Sequence, residues 1–335
     1  MKVGIVVATI QDIAKKAGVS VATVSRVLNN TNTVTEKTRS KVESAIKELN
    51  YQPSMLGRNL RTSESRLMLV LLPSTSNPFY SEIIKGIQDT GIANHYNILL
   101  CETDSKPERE NIYLNMLKNK LADGMISMDP TINLDNLNVL AETHPVIFCS
   151  EYEQGGTIPY VSIDSELAAY EAVKHLITTG NEKVALINSD QRFLYARLRQ
   201  AGYERALKEF NLPIQNEWIC HTQDLEFQSG TEAMRLLLQF EDKPTAVFAV
   251  SDTLAIGAMK ALDMHHNQAA DPIAVFGFDN ISFSTMTNPA LSTISQPMYQ
   301  MGVHAAEMLI KRIQGEAVES VILDHQLIIR ESTFG

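Results

Sequence analysis

Hydrophobic residues follow one rhythm up to about residue 66 and another beyond it. In the first stretch they recur at spacings of three and four, as in helices buried along one face. Thr9, followed by Ile10, Ile13, Ala14 and Ala17, predicts a helix capped by the threonine and stopped at Gly18, a residue free to turn left-handed. Ser20 predicts the cap of a second short helix, Val21 to Leu28. There Val24, Val27 and Leu28 face inward, and Asn29, Asn30 and Asn32 break the helix. Thr35 caps a third, with Val42, Ala45, Ile46 and Leu49 on one face, ending before Pro53. Two short helices around a glycine turn, closed by a third, form a helix-turn-helix unit.

From Leu67 onward, short apolar runs alternate with amphipathic stretches. Strands are expected at Leu67 to Leu72, Ile98 to Cys101, Gly124 to Met128, Val146 to Cys149, Val184 to Asn188, Thr245 to Ser251 and Ala274 to Asp279. Helices are expected at Tyr80 to Asn94, Leu167 to Thr179, Leu198 to Phe210 and Asp252 to Leu262. Such alternation predicts parallel sheets covered on both faces. The number of units exceeds one ordinary sheet and predicts two doubly wound lobes. Ligands of such sheets sit beyond the carboxyl ends of the strands, here in the cleft between lobes.

Composition refines this picture. A hydrophobic fraction of 44% with 20% charged residues fits a soluble globular protein. Cys101, Cys149 and Cys220 are far apart, which argues for buried thiols in a reducing cytoplasm rather than a disulfide or zinc framework. The apolar run Val3 to Ala8 is too short for a signal peptide, and no segment has the length of a membrane span, so a cytoplasmic location is expected. The net charge of −10 is unevenly spread. Residues 1–66 carry 11 Lys and Arg against 5 Asp and Glu, leaving 18 against 34 for the remainder. A basic head on an acidic body suits a polyanionic partner at the head alone. Neither a G-x-S-x-G elbow, a P-loop, an H-E-x-x-H nor a dinucleotide fingerprint is present, and His265-His266 is an isolated pair. An enzyme is not expected; no catalytic residue, metal site or cofactor is assigned.

The segments Thr9-Ile10-Gln11-Asp12-Ile13-Ala14, Ala17-Gly18-Val19-Ser20 and Thr23-Val24-Ser25-Arg26-Val27-Leu28-Asn29 resemble the headpiece of the lactose/galactose repressor (LacI/GalR) family. The similarity runs on through Tyr51-Gln52-Pro53, and residues before Ala8 fall outside it. It implies an α/β chain in which an all-α helix-turn-helix headpiece, residues 9–52, precedes a hinge helix and linker, residues 53–66. The rest, 67–335, would be a two-lobed, periplasmic-binding-protein-like core for effector binding and dimerisation. Lobe one would comprise about 67–162 and 296–321, and lobe two about 164–294 and 322–335, with three crossings between them.

The resemblance also implies residue roles. Val21 and Ala22, at the start of the second helix, would read bases through apolar contact with thymine methyls. Arg26 has the reach for a guanine edge or a phosphate. Thr23, Ser25 and Asn29 suit phosphate contacts, and Thr9 and Ser20 at the helix starts are grouped with them. Pro53 to Leu60 would form a hinge helix on DNA, with Leu60 as a minor-groove wedge and Arg58 along the groove or backbone. Gly57 should weaken that helix in isolation. In the cleft, Phe79 and Tyr80 would be aromatic walls. Arg199 would fork onto ligand hydroxyls or a carboxylate, while Asp279 would accept hydrogen bonds from sugar hydroxyls. Gln296 and Ser251 would reach the same ligand. Leu225 departs from the family by standing where several members have an aromatic, so stacking there would fall to Phe227 or Phe79. The implied partners are palindromic operator DNA, a sugar or nucleoside effector, and a second copy of the chain. Two alternatives remain at this level: a branch of the family controlled by a phosphorylated carrier protein, and a solute-binding protein.

Overall fold

The computed structural model describes residues 8–28, 34–51, 64–129, 134–265 and 273–334. Asn29, Asn30, Asn32, the hinge segment 53–60 with Gly57, Arg58 and Leu60, and His266 lie outside them. The chain divides into two compact units, Met1–Ser65 and Arg66–Gly335.

In the first unit, α1 (Ile10–Ala17) begins with a reciprocal cap. The Asp12 N–H donates to the Thr9 hydroxyl, and the Asp12 carboxylate accepts from the Thr9 N–H at 2.8 Å. The Thr9 hydroxyl, which donates to the carboxylate at 2.7 Å, and the Thr9 N–H hold the Asp12 carboxyl below its ordinary range. Gly18 closes the helix at φ 65°. Helix α2 (Val21–Leu28) starts where the Thr23 N–H donates to the Ser20 hydroxyl at 3.1 Å. Thr35 precedes α3 (Glu36–Glu48) in the capping position, but its hydroxyl contacts the Thr38 hydroxyl and makes no cap bond. Ile13, Ala14, Val24, Val27, Val42 and Ala45 form the small core these helices share.

The second unit contains two six-stranded sheets. Running from β1 (Leu67–Leu72), the first sheet adds β2 (Asn97–Glu102), β3 (Gly124–Ser127), β4 (Val146–Cys149) and β5 (Tyr160–Ile163). The second is built on β6 (Val184–Asn188), β7 (Ile219–His221), β8 (Ala246–Ala249), β9 (Ala274–Asp279) and β10 (Ser292–Ser295). The chain returns to the first sheet for β11 (Val321–Leu323) and to the second for β12 (Gln326–Ile328). The sheet orders are β2-β1-β3-β4-β5-β11 and β7-β6-β8-β9-β10-β12. Every pairing is parallel except that of β12 with β10. Strand order therefore reverses beside β1 in one sheet and beside β6 in the other. Loops diverge at such points, leaving a crevice beyond the strand carboxyl ends.

The covering helices are α4 (Phe79–Ala93), α5 (Pro107–Lys118), α6 (Leu134–Ala141), α7 (Ser165–Thr178), α8 (Leu194–Glu209), α9 (Phe227–Leu237), α10 (Asp252–His265) and α11 (Met298–Ile313). Phe148, Phe248, Phe276 and Phe278 fill the buried layers against them. Cys101 and Cys149 are buried, which pushes both thiols up to about 12, whereas Cys220 is half-buried. No helix among the described residues is long and apolar enough to cross a membrane.

Candidate effector cleft and DNA-reading helix

The start of α2 is exposed. Val21, Ala22 and Arg26 point to solvent while Val24 and Val27 are buried. Val21 is 43% exposed, so it is no core residue of the isolated unit. Thr23 and Ser25 are half-buried, and the Thr23 hydroxyl lies 2.9 Å from that of Ser20. Thr9 and Ser20 serve as caps.

In the second unit, a cavity of about 370 Å³ opens where the strand carboxyl ends of both sheets face each other. Pro73 and Ser74 follow β1, Met128 follows β3, Ser150 and Glu151 follow β4, and Ser189 follows β6; Asp279 ends β9. Phe79, Tyr80, Arg199 and Leu225 also line it. Two expected cleft residues stand behind its wall instead. Ser251 is buried and caps α10, its hydroxyl accepting from the Leu254 N–H at 3.2 Å. Gln296 is buried and donates through Nε2 to Asp279 at 2.7 Å, so it orients the carboxylate rather than lining the cavity. Phe227 lies elsewhere, in a separate apolar groove with Phe283 and Met286. The aromatic surface that Leu225 lacks comes from Phe193 and Tyr195, whose rings stack at 5.5 Å.

Arg199 is 5% exposed, with its guanidinium between the Phe278 ring, 3.6 Å from the centroid, and that of Tyr195 at 5.0 Å. One Nη donates to the Val250 carbonyl and stands 3.9 Å from the Asp279 carboxylate; Nε is buried without a hydrogen-bond partner. Burial lowers the guanidinium's proton affinity, and Asp279 opposes that shift. Burial likewise raises the Asp279 carboxyl, with Arg199 and Gln296 pulling the other way. An unpaired buried donor is costly. The fixed Asp279 carboxylate in the same wall can accept from a ligand hydroxyl.

A second buried carboxylate, Asp252, shapes this wall. It accepts from the Ile281 N–H at 2.8 Å and from the Thr293 hydroxyl, tying down the loop in which Asp279 holds φ 121°. Gly277 makes room, since a Cβ there would lie 2.3 Å from the Asp252 carboxylate.

These features coincide with a family pattern over nearly the whole chain. Residues 9–54 match the bacterial regulatory proteins of the lacI family, and residues 65–331 match the periplasmic binding proteins and sugar binding domain of the LacI family. The chain belongs to the LacI family. It is 36% identical to catabolite control protein A of Priestia megaterium over 97% of this chain and 99% of that one. To the HTH-type transcriptional repressor CytR of Escherichia coli (strain K12) it is 34% identical over 97% and 96%. Among solved structures, the lac repressor dimer bound to operator and the anti-inducer ONPF superimposes with a TM-score of 0.88. It is 27% identical and covers 98% of this chain and 100% of that one.

Glu151 is among the cleft residues of this LacI-family chain that have no counterpart in the sequence-based expectations. Glu151, 5% exposed, accepts from the N–H groups of Leu194 and, at 3.2 Å, Tyr195, at the start of α8. Burial pushes its carboxyl up from 4.5 to about 7, although both N–H groups and Arg199 favour the charged form. The folded state thus holds a proton that the unfolded chain releases. The stability this carboxyl contributes is full below about 4.5 and is lost as pH rises through about 7. Urea midpoints should fall across that window, and Glu151→Gln should flatten part of the slope. An unchanged slope in the folded variant would place the Glu151 pKa at its unfolded value.

Proposed function

We propose that this chain is a transcriptional repressor that reads a palindromic operator as a homodimer. A sugar or nucleoside in the cleft of its core sets its operator affinity. The observation that carries this reading is the combination, in one chain, of an exposed helix start at Val21, Ala22 and Arg26 with a cleft lined by Arg199 and Asp279. One headpiece offers too little surface for specific binding, and two-fold related headpieces fit two-fold related half-sites. A cavity of about 370 Å³ lined by four aromatic rings and paired charges suits a small hydroxylated ring. That favours a metabolite over a protein corepressor.

The test separates reading from holding. DNA selected from a random pool by the full chain supplies the operator. Arg26→Ala should weaken binding to it by roughly 1–3 kcal/mol if Arg26 meets a guanine edge, with little loss on unrelated DNA. Equal losses on both would assign Arg26 to the phosphate backbone. No selectable sequence at all would overturn the repressor reading.

A further inference from the structure

The start of a helix directs unpaired N–H groups and a partial positive charge outward, and so attracts anions. Three helices begin at this cavity, α4, α8 and α9, and at one of them the chain places its own carboxylate on the first-turn N–H groups. At α4 the Phe79 N–H donates to the neutral Asn77 side chain at 3.0 Å, and ahead of α9 Asp224 accepts from the Glu226 N–H at 3.0 Å and from the Ser229 hydroxyl without capping the first turn. Glu151 fills the start of α8 from 43 residues upstream, reaching across from the loop after β4 in the other sheet. The α8 sequence supplies no substitute, because Phe193 precedes it without a side-chain cap and its first turn has no acidic residue.

The cations of the cavity are equally committed. Arg199 faces Asp279, and Arg192 pairs with Asp190 at 3.5 Å while lying over the Phe193 ring. Among the described residues, then, no cation without a carboxylate neighbour lines the cavity. The Arg199 Nε is buried without a hydrogen-bond partner, while its guanidinium forms part of the wall.

We propose that Glu151 is a specificity-determining residue that turns phosphorylated and carboxylated molecules away from the cavity and reserves it for uncharged, hydroxyl-bearing ligands. This rests on the effector-cleft reading above and narrows its ligand class. An anion entering the cavity meets the Glu151 charge and finds the Leu194 and Tyr195 N–H groups taken. Like charges brought together away from water repel strongly, whereas a neutral hydroxyl meets no such barrier.

Two sets of calorimetric titrations test it, on the full chain at pH ~8, above the Glu151 value of about 7. In the wild type, hexoses and nucleosides are compared with their own monophosphates. The phosphorylated member of any pair that binds should be weaker by roughly tenfold or more. Separately, Glu151→Ala and Glu151→Ser, both too short to reach those N–H groups, are titrated with sulfate and inorganic phosphate. Whichever variant folds should gain a saturable site, roughly tenfold or more tighter than any in the wild type. A wild type that takes a monophosphate as tightly as its parent overturns the proposal, as does a folded variant that gains no anion affinity. Failure of every sugar and nucleoside to bind the wild type would instead count against the effector reading, and the anion titration would still decide the role of Glu151.

Discussion

Arg199→Ala is expected to abolish the effector response and leave operator binding intact. The side chain is buried in the cavity wall and sits 3.9 Å from Asp279. Losing a hydrogen bond from a charged group to a ligand costs roughly 1.5–3 kcal/mol, about tenfold or more in affinity. Part of that loss reflects Asp279 left without its counter-charge. Arg199→Lys should therefore recover stability more than binding, since an ammonium restores charge without the planar fork. The reading helix α2 belongs to the other compact unit, so its surface is unaltered. The check is a thermal-shift titration with a sugar or nucleoside that stabilises the wild type, paired with operator binding. A normal effector response in folded Arg199→Ala would remove Arg199 from the ligand site.

The largest loss of stability is expected from Gly302→Ala. At this position α11 lies backbone to backbone on α4. A Cβ on Gly302 would stand 2.0 Å from the Ile83 carbonyl oxygen, and one on Gly86 would stand 2.2 Å from that of Tyr299. No rotamer relieves a clash with backbone, so the helices must separate along their length. Overpacking of this kind costs roughly 1–3 kcal/mol, occasionally more, and backbone on both sides argues for the upper end. Once the helices have parted, the second substitution should cost less than it does alone. Urea midpoints of Gly86→Ala, Gly302→Ala and the double variant measure this. Full additivity would mean that each site yields locally and that the helices are not in rigid contact.

Much of this architecture is legible in the sequence, and the exceptions share physical causes. Central strands such as β1 and β9 are near-continuous apolar runs because helices cover both faces. The three-residue edge strands β7, β11 and β12 have no such run, being largely half-exposed, and periodicity does not reveal them. Helix α8 begins at Leu194, four residues ahead of the expected Leu198, because its cap is the distant Glu151 and no local residue announces it. The same remoteness hid Glu151 and Asp252 as site residues. Family similarity pointed to Ser251 and Gln296, yet it does not distinguish a residue that touches ligand from one that holds the loop behind it. Phe193 and Tyr195 carried no motif, and only the fold brings them opposite Phe79 and Tyr80.

The central claim is that the cleft and the reading helix are energetically coupled, and fluorescence anisotropy of a labelled operator measures this directly. The full chain is titrated onto the selected operator with and without a saturating sugar or nucleoside. The ligand's affinity is then measured with and without operator. Thermodynamic linkage requires both ratios to be equal, and a working coupling is typically about 1–3 kcal/mol, roughly 5–150-fold. The account predicts equal ratios of that size in the wild type and no change in Arg199→Ala. A ligand that binds the cleft tightly while operator affinity stays the same would contradict it.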